Sequence, residues 1–151
     1  MELSPATVRH YLDHVFDGME KVLDRVDSDQ VNELPGDWST NTIAGLVVHC
    51  CELAPSWFET PGLGRDSERD RESEFTTTAS VTDLRARIAD SRGRCHLLVE
   101  EFDVGPTALD HEFRAFLPGG DRSDAALVIH VFEELFQHLG HMEVTADALG
   151  R

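Results

Sequence analysis

Apolar residues recur at helical spacing in four separate stretches of the chain. In the first, over residues 4–26, they follow steps of three and four, which place them on one face of a helix. Ser4 is a good N-cap, and Pro5 suits the first helical position. We therefore predict a first helix that covers a core with one side. Its apolar positions are Val8, Tyr11, Leu12, Val15, Phe16, Met19, Val22, Leu23 and Val26.

A second helix is predicted from a cap at Ser39 or Thr40 to residue 58, and the Pro-Gly pair at 61–62 ends it. Core packing is the usual role of Trp38, Trp57 and Phe58, and the alternative is that they wall a pocket. The apolar positions of this stretch are Ile43, Leu46, Val47, Cys50, Leu53 and Trp57.

The third helix is predicted over residues 80–102, because Ser80 and Asp83 have the spacing of a capping box. Residues 61–79 form a long connection before it. The centre of this connection, residues 65–74, is a mixed charge run without an apolar period. Such a run is typical of a solvated, mobile loop, although a loop of this length can also be a lid.

The fourth helix is predicted to begin at a cap at Asp121 or Ser123 and to end at Leu149, where Gly150 stops it. An irregular stretch with one helical turn precedes it at 105–120. No segment shows the alternation of a strand, and all three connections are longer than tight hairpins. We therefore predict an all-α fold, a four-helix bundle with long crossover connections, as a single domain over residues 1–151.

Polar side chains share one face of this fourth helix, where His130, Glu134, His138 and His141 follow steps of four, four and three. Side chains four residues apart have Cβ atoms about 5–6 Å apart, so that Glu and His can reach one metal ion. The polar face borders the apolar stripe of the same helix. That stripe consists of Val128, Val131, Leu135, Leu139, Met142, Ala146 and Leu149.

A metal site on this face needs a further ligand from another helix. Glu134 and His138 supply two ligands, and His49, expected at the core margin of the second helix, is the best third candidate. Two histidines, one carboxylate and open positions are typical of catalytic metal sites. His130 and His141 then orient the ligands or bind substrate, unless one of them is itself a ligand. The alternative is a set of histidines that hydrogen-bond to carbonyl groups and water.

Composition narrows the range of partners. Thirteen basic and 29 acidic residues give a net charge of −16, and Lys21 is the single lysine. Since phosphate binding needs clustered basic residues, we expect no nucleic-acid partner. No apolar run approaches the roughly 18 residues of a membrane span, so we expect no membrane segment. The first residues lack the pattern of a signal peptide, and three cysteines make no disulfide framework, so we expect a cytoplasmic protein.

Two of the cysteines directly follow the candidate ligand His49. Cys50 lies on the core stripe of the second helix, and Cys51 is next to it. Burial in the core is the usual role of such cysteines, and it is also expected of Cys95. An extra thiolate ligand or a redox pair is the alternative for Cys50 and Cys51.

Two stretches of the sequence resemble helices of the DinB-like superfamily. Residues 38–52, WSTNTIAGLVVHCCE, look like its second helix, in which a histidine near the middle is a metal ligand. Residues 130–142, HVFEELFQHLGHM, resemble its last helix, and the His-x-Gly-His ending at 138–141 is the most specific part. The superfamily includes S-transferases that use mycothiol or bacillithiol, and a mycothiol-dependent maleylpyruvate isomerase.

The resemblance implies a function as well as a fold. The Glu-x3-His pair at 134–138 resembles the mycothiol branch. It implies a divalent metal ion, zinc before nickel, at His49, Glu134 and His138. It also implies a low-molecular-weight thiol and a small electrophile as substrates, as in detoxification. The alternatives are a non-enzymatic metal-binding or stress-associated bundle and an interaction bundle whose site has lapsed. A homodimer is a further expectation.

Overall fold

The computed structural model of the protein describes residues 3–36, 41–104 and 110–150. Within these ranges the chain forms five α-helices and no strand, so that the predicted all-α class is confirmed. The short helix α3 is a single turn. The helices are α1 at Pro5–Leu23, α2 at Ile43–Trp57, α3 at Arg71–Glu74, α4 at Val81–Val104 and α5 at Asp124–Leu149.

Side-chain caps fix the starts of three long helices. Ser4 and Ser123 each accept a hydrogen bond from the backbone amide three residues ahead, at 3.1 and 3.2 Å. Ser80 and Asp83 exchange the two hydrogen bonds of a capping box, at 3.2 and 3.1 Å. The caps predicted at Ser4, Ser80 and Ser123 are therefore confirmed.

Both ends of α2 differ from the prediction. Thr42 caps this helix and accepts a hydrogen bond from the amide of Gly45 at 3.0 Å. The caps predicted at Ser39 and Thr40 lie outside the described residues. At the other end, the α-helix ends at Trp57 and is followed by a wider π-helical turn at Phe58–Gly62, which contains the Pro-Gly pair. Such turns are frequent near functional sites.

Each long helix packs against two others. Helices α1 and α2 both contact α4 and α5, so the consecutive pairs α1/α2 and α4/α5 lie across the diagonals of the bundle. A chain that moves to a diagonal position must cross an end of the bundle, which explains the long connections. The predicted four-helix bundle with crossover connections is confirmed.

Most of the predicted apolar positions of the long helices are buried in the core. All seven stripe positions of α5 are buried. Tyr11 was expected in the core but is 52% exposed, and its ring lies 5.7 Å from that of Phe132. In the part of the chain that is described, no helix has both the length and the apolar content that a membrane crossing requires.

Arg114 is fully buried and contacts the π-helical turn, the residues just before α5 and the first residue of α5. Its Nε donates to the carbonyl oxygen of Pro61, and its Nη1 donates to that of Arg122, both at 2.7 Å. Nη1 also lies 2.8 Å from the carboxylate of Asp124. These contacts hold the π-helical turn against the first residues of α5.

We expect Arg114→Met to lower the free energy of unfolding by about 3–5 kcal/mol, because the substitution leaves Asp124 and buried carbonyl groups without their partner. Urea denaturation followed by circular dichroism measures this loss. Arg25→Gln is the matched control, since the ion pair of Arg25 with Asp147 is largely exposed and should contribute less than about 1 kcal/mol. Equal losses in the two variants would contradict the role of Arg114.

All three cysteines, Cys50, Cys51 and Cys95, are free and buried, as predicted for core residues. Burial raises the pKa of each thiol, and it raises that of Cys95 to about 12. Because the thiolate is the reactive form, burial and the raised pKa values predict that these thiols react slowly in the folded protein, which argues against a redox pair.

We expect the folded protein at pH 8 to react with Ellman's reagent far more slowly than the protein in guanidinium chloride, where all three thiols become accessible. The absorbance of the released nitrothiobenzoate measures both rates. A fast reaction of one thiol in the native protein would contradict the burial of that cysteine.

Candidate metal centre

Three side chains from two helices converge at the contact between α2 and α5. His49 comes from α2, and Glu134 and His138 come from α5. One ligand atom from each lies within 4.8 Å of the others. Nε2 of His138 is 3.6 Å from Oε2 of Glu134. The rings of His138 and His49 meet edge to face, with their centroids 4.6 Å apart. The packing of α2 on α5 thus brings together the residues that the sequence suggested.

The donor set of this cluster fits a divalent cation. Bonds of about 2.0–2.1 Å in a tetrahedral site place neighbouring donor atoms about 3.4 Å apart. The separation of 3.6 Å between His138 and Glu134 is close to that value, and small side-chain rotations suffice for the remaining approach. Imidazole nitrogens combined with one carboxylate suit zinc and nickel.

His49 is buried more deeply than the sequence indicated. We predicted it at the core margin, but it is 2% exposed, because α2 is enclosed by α4, α5 and α3. Burial lowers the pKa of His49, and it also lowers that of His138 although Glu134 acts in the opposite direction. Both rings are therefore neutral at pH 7, the state in which imidazole binds a metal ion.

Glu74, the last residue of α3, contacts His49 from the side opposite to α5 and was not predicted as a site residue. It is 2% exposed and lies 2.7 Å from Nδ1 of His49. Arg69 donates to both carboxylate oxygens of Glu74, at 2.6 and 2.9 Å. The prediction of a solvated charge run over residues 65–74 is wrong at its end, because the charge of Glu74 is compensated inside the protein.

These contacts determine which nitrogen of His49 is free. Burial raises the pKa of Glu74, but its hydrogen bonds with Arg69 and His49 outweigh that effect and lower the pKa overall. Glu74 is therefore a carboxylate and can only accept hydrogen bonds, so Nδ1 of His49 carries the proton. Nε2 keeps its lone pair for a metal ion. Nη2 of Arg69, 3.2 Å from the protonated Nδ1, makes a close approach and not a hydrogen bond.

A cavity of about 840 Å³ opens beside the cluster and is lined by His49 and Glu134. Its wall also includes Trp57, Phe113 and His130, and the rings of Trp57 and His130 meet edge to face at 4.7 Å. Trp57 therefore walls a pocket and also packs against the core. Phe58 is buried in the core, and Trp38 lies outside the described residues. The volume lies within the range of about 300–1,000 Å³ that is usual for small-molecule sites.

The two neighbouring histidines of α5 take different places. His130 lines the cavity, and its Nδ1 lies 3.3 Å from a carboxylate oxygen of Glu133. His141 is half-buried one turn beyond His138, and its charge contributes to lowering the pKa of His138. Among the described residues, neither His130 nor His141 hydrogen-bonds to the three candidate ligands. Their roles in orienting ligands or binding substrate stay predictions.

Comparisons with known proteins agree with this arrangement. The sequence profile of the mycothiol S-transferase family matches residues 7–149. A comparison with curated proteins gives no match. In structure, the chain is similar to a conserved protein from Enterococcus faecalis, with a TM-score of 0.66, 14% identity and coverage of 99% of this chain and 98% of that one. Identity this low shows a common fold alone.

The family match extends over nearly the whole chain and includes every helix of the bundle. It confirms the resemblance seen in residues 38–52 and 130–142, which contain all three members of the cluster. On this evidence, the chain belongs to the mycothiol S-transferase family of the DinB-like superfamily.

Proposed function

We propose that the chain binds one divalent metal ion through His49, Glu134 and His138 and transfers a low-molecular-weight thiol, mycothiol or a close relative, to a small electrophile. The observation that carries the proposal is a cluster of three donors that opens onto a cavity of small-molecule size. Two imidazoles and one carboxylate leave coordination positions open, as in catalytic sites. Zinc is the first candidate for the metal and nickel the second. The family match supports the thiol.

The chemistry follows from the position of the cluster on the cavity wall. A bound divalent cation would supply positive charge that stabilises the thiolate form of the co-substrate. His49 and Glu134 line the cavity, so they hold that charge where substrates enter. The thiol releases its proton to water, and the sulfur electron pair forms a carbon–sulfur bond. An alkyl halide then loses halide, an epoxide breaks a carbon–oxygen bond, and an activated double bond breaks its π bond. The alkoxide or the carbanion takes up a proton from water. Trp57 and Phe113 contribute apolar surface to the wall of the same cavity, against which the electrophile can pack.

The neighbouring histidines complete the proposal. His130 lies in the cavity wall with Nδ1 directed to Glu133, so its Nε2 is available to a substrate. We assign it to substrate binding. His141, one turn beyond His138, is assigned an electrostatic effect on that ligand, because it contributes to the lowered pKa of His138 and so favours the neutral ring that binds a metal ion.

We expect the purified protein to contain about one zinc or nickel ion per chain, and His138→Ala to lose it, because two donors rarely retain such an ion. Thiol conjugation should fall to the uncatalysed rate in this variant. Elemental analysis of protein prepared without a histidine tag or chelator gives the stoichiometry. A panel of alkyl halides, epoxides and activated double bonds, each with mycothiol, tests the activity.

His10→Ala is the matched control for this experiment, since His10 is exposed on α1 and outside the cluster. It should keep both metal and activity. Unchanged conjugation in His138→Ala would contradict the proposed catalytic role. One metal ion per chain without conjugation of any electrophile would favour the non-enzymatic metal-binding bundle instead.

His130→Ala should keep the metal ion but raise a substrate KM about tenfold, the effect of one lost hydrogen bond of about 1–1.5 kcal/mol. Steady-state kinetics with the thiol and the electrophile varied in turn show which substrate is affected. Ile129→Ala, an exposed position on the same helix, serves as the control. Loss of the metal ion from His130→Ala would show that His130 is a ligand and would refute its assignment to substrate binding.

A further inference from the structure

The segment before α3 forms a thin partition between two cavities. Asp66, Ser67 and Arg69 line the cavity beside the metal cluster, and the same three residues line a second cavity of about 480 Å³. An ion pair between Arg65 and Glu101 ties the beginning of the segment to α4. At its other end, Arg69 reaches Glu74. The partition is thus held to the bundle at both ends by charged side chains.

The inner end of the partition is bound to a metal-ligand candidate through one buried carboxylate. Glu74 is enclosed, and the hydrogen bonds described for its two oxygens come from Arg69 and from Nδ1 of His49. An enclosed carboxylate without its cationic partner is strongly unfavourable. Glu74 can therefore remain against His49 only while Arg69, and with it the partition, stays in place.

A second arrangement of the same side chains would prevent metal binding. Nη2 of Arg69 already lies 3.2 Å from Nδ1 of His49. If Glu74 moved away, Nδ1 could accept a hydrogen bond from Arg69, and the proton of the neutral ring would then sit on Nε2. A protonated Nε2 has no lone pair for a metal ion. The presence of Glu74 therefore decides between a ligating and a non-ligating form of His49.

We propose that Arg69 and Glu74 are positioning residues that couple the placement of residues 65–70 seen in this structure, here called the closed partition, to the affinity of the cluster for its metal ion. This inference rests on the metal site of the proposed function. When Arg69 binds Glu74, and Glu74 binds Nδ1 of His49, the free Nε2 of His49 is available to a metal ion held by Glu134 and His138. Because binding equilibria are reciprocal, the metal ion in turn stabilises the closed partition by the same factor.

The first test compares zinc dissociation constants of the full-length chain at pH 7, measured by competition with a chromophoric chelator and without any thiol. Glu74→Gln keeps the size of the side chain but cannot hold Arg69 by charge. We expect it to raise the Kd about 10–100-fold, the usual effect of losing the partner of a histidine ligand. Arg69→Gln should act in the same direction. Arg25→Gln, which breaks an exposed ion pair with Asp147 outside this segment, should leave the Kd unchanged.

The second test uses the trypsin sites at Arg65, Arg69 and Arg71. Saturating zinc should slow cleavage at these sites in the wild-type protein, since it favours the closed partition. In Glu74→Gln, zinc at a concentration that saturates this variant should give little protection. Mass spectrometry of the first fragments identifies the cleaved bonds. Equal protection in both proteins would overturn the coupling.

The outcomes separate this inference from the proposed function. A wild-type chain that binds no zinc or nickel would refute the metal site itself, and the coupling with it. A wild-type chain that binds zinc with the same Kd as Glu74→Gln and Arg69→Gln would refute the coupling alone. Circular dichroism checks the fold of each variant. Should Glu74→Gln fail to fold, Arg69→Gln replaces it in both tests, with cleavage followed at Arg65 and Arg71 in this variant and in the wild-type protein.

Discussion

A histidine inside a helical bundle must satisfy both of its ring nitrogens, and the organisation of this site depends on that constraint. His49 is 2% exposed, and its ring meets solvent only at the wall of the cavity beside the cluster. Its Nδ1 is satisfied by Glu74, which is itself a buried charge and therefore requires Arg69. Its Nε2 is left for the cluster on α5. The contacts of this one ring thus connect α2 with α3 through Glu74, with residues 65–70 through Arg69, and with the polar face of α5.

The sequence was sufficient to predict the helices and most of the candidate site. The 3.6-residue period gives the buried faces of the long helices, and the spacing of Glu134 and His138 gives two donors on one face. The choice of His49 depended on a resemblance as well as on its position beside the core stripe. These predictions succeed because they concern side chains whose relation is fixed by one helix, or by two helices that meet through their apolar faces.

Glu74 could not be recognised in the same way, because its role arises from contacts between distant parts of the chain. Its neighbours in sequence are polar, and a mixed charge run usually indicates a solvated surface. The one local signal is Phe75, an isolated aromatic residue at the end of that run, whose ring packs 4.6 Å from that of His49. A single aromatic residue in a polar loop indicates an anchor point but does not show which acidic neighbour it brings inside.

The burial of the three cysteines has a consequence for the proposed reaction with small electrophiles. A thiol near the reaction site would compete with the co-substrate for the electrophile, and each such event would inactivate one molecule permanently. Cys50 is adjacent in sequence to His49, yet it is fully enclosed and its pKa is raised. The close packing that buries these thiols should therefore slow their alkylation by the proposed substrates. The core that positions the cluster would in this way also protect the protein from its own substrates.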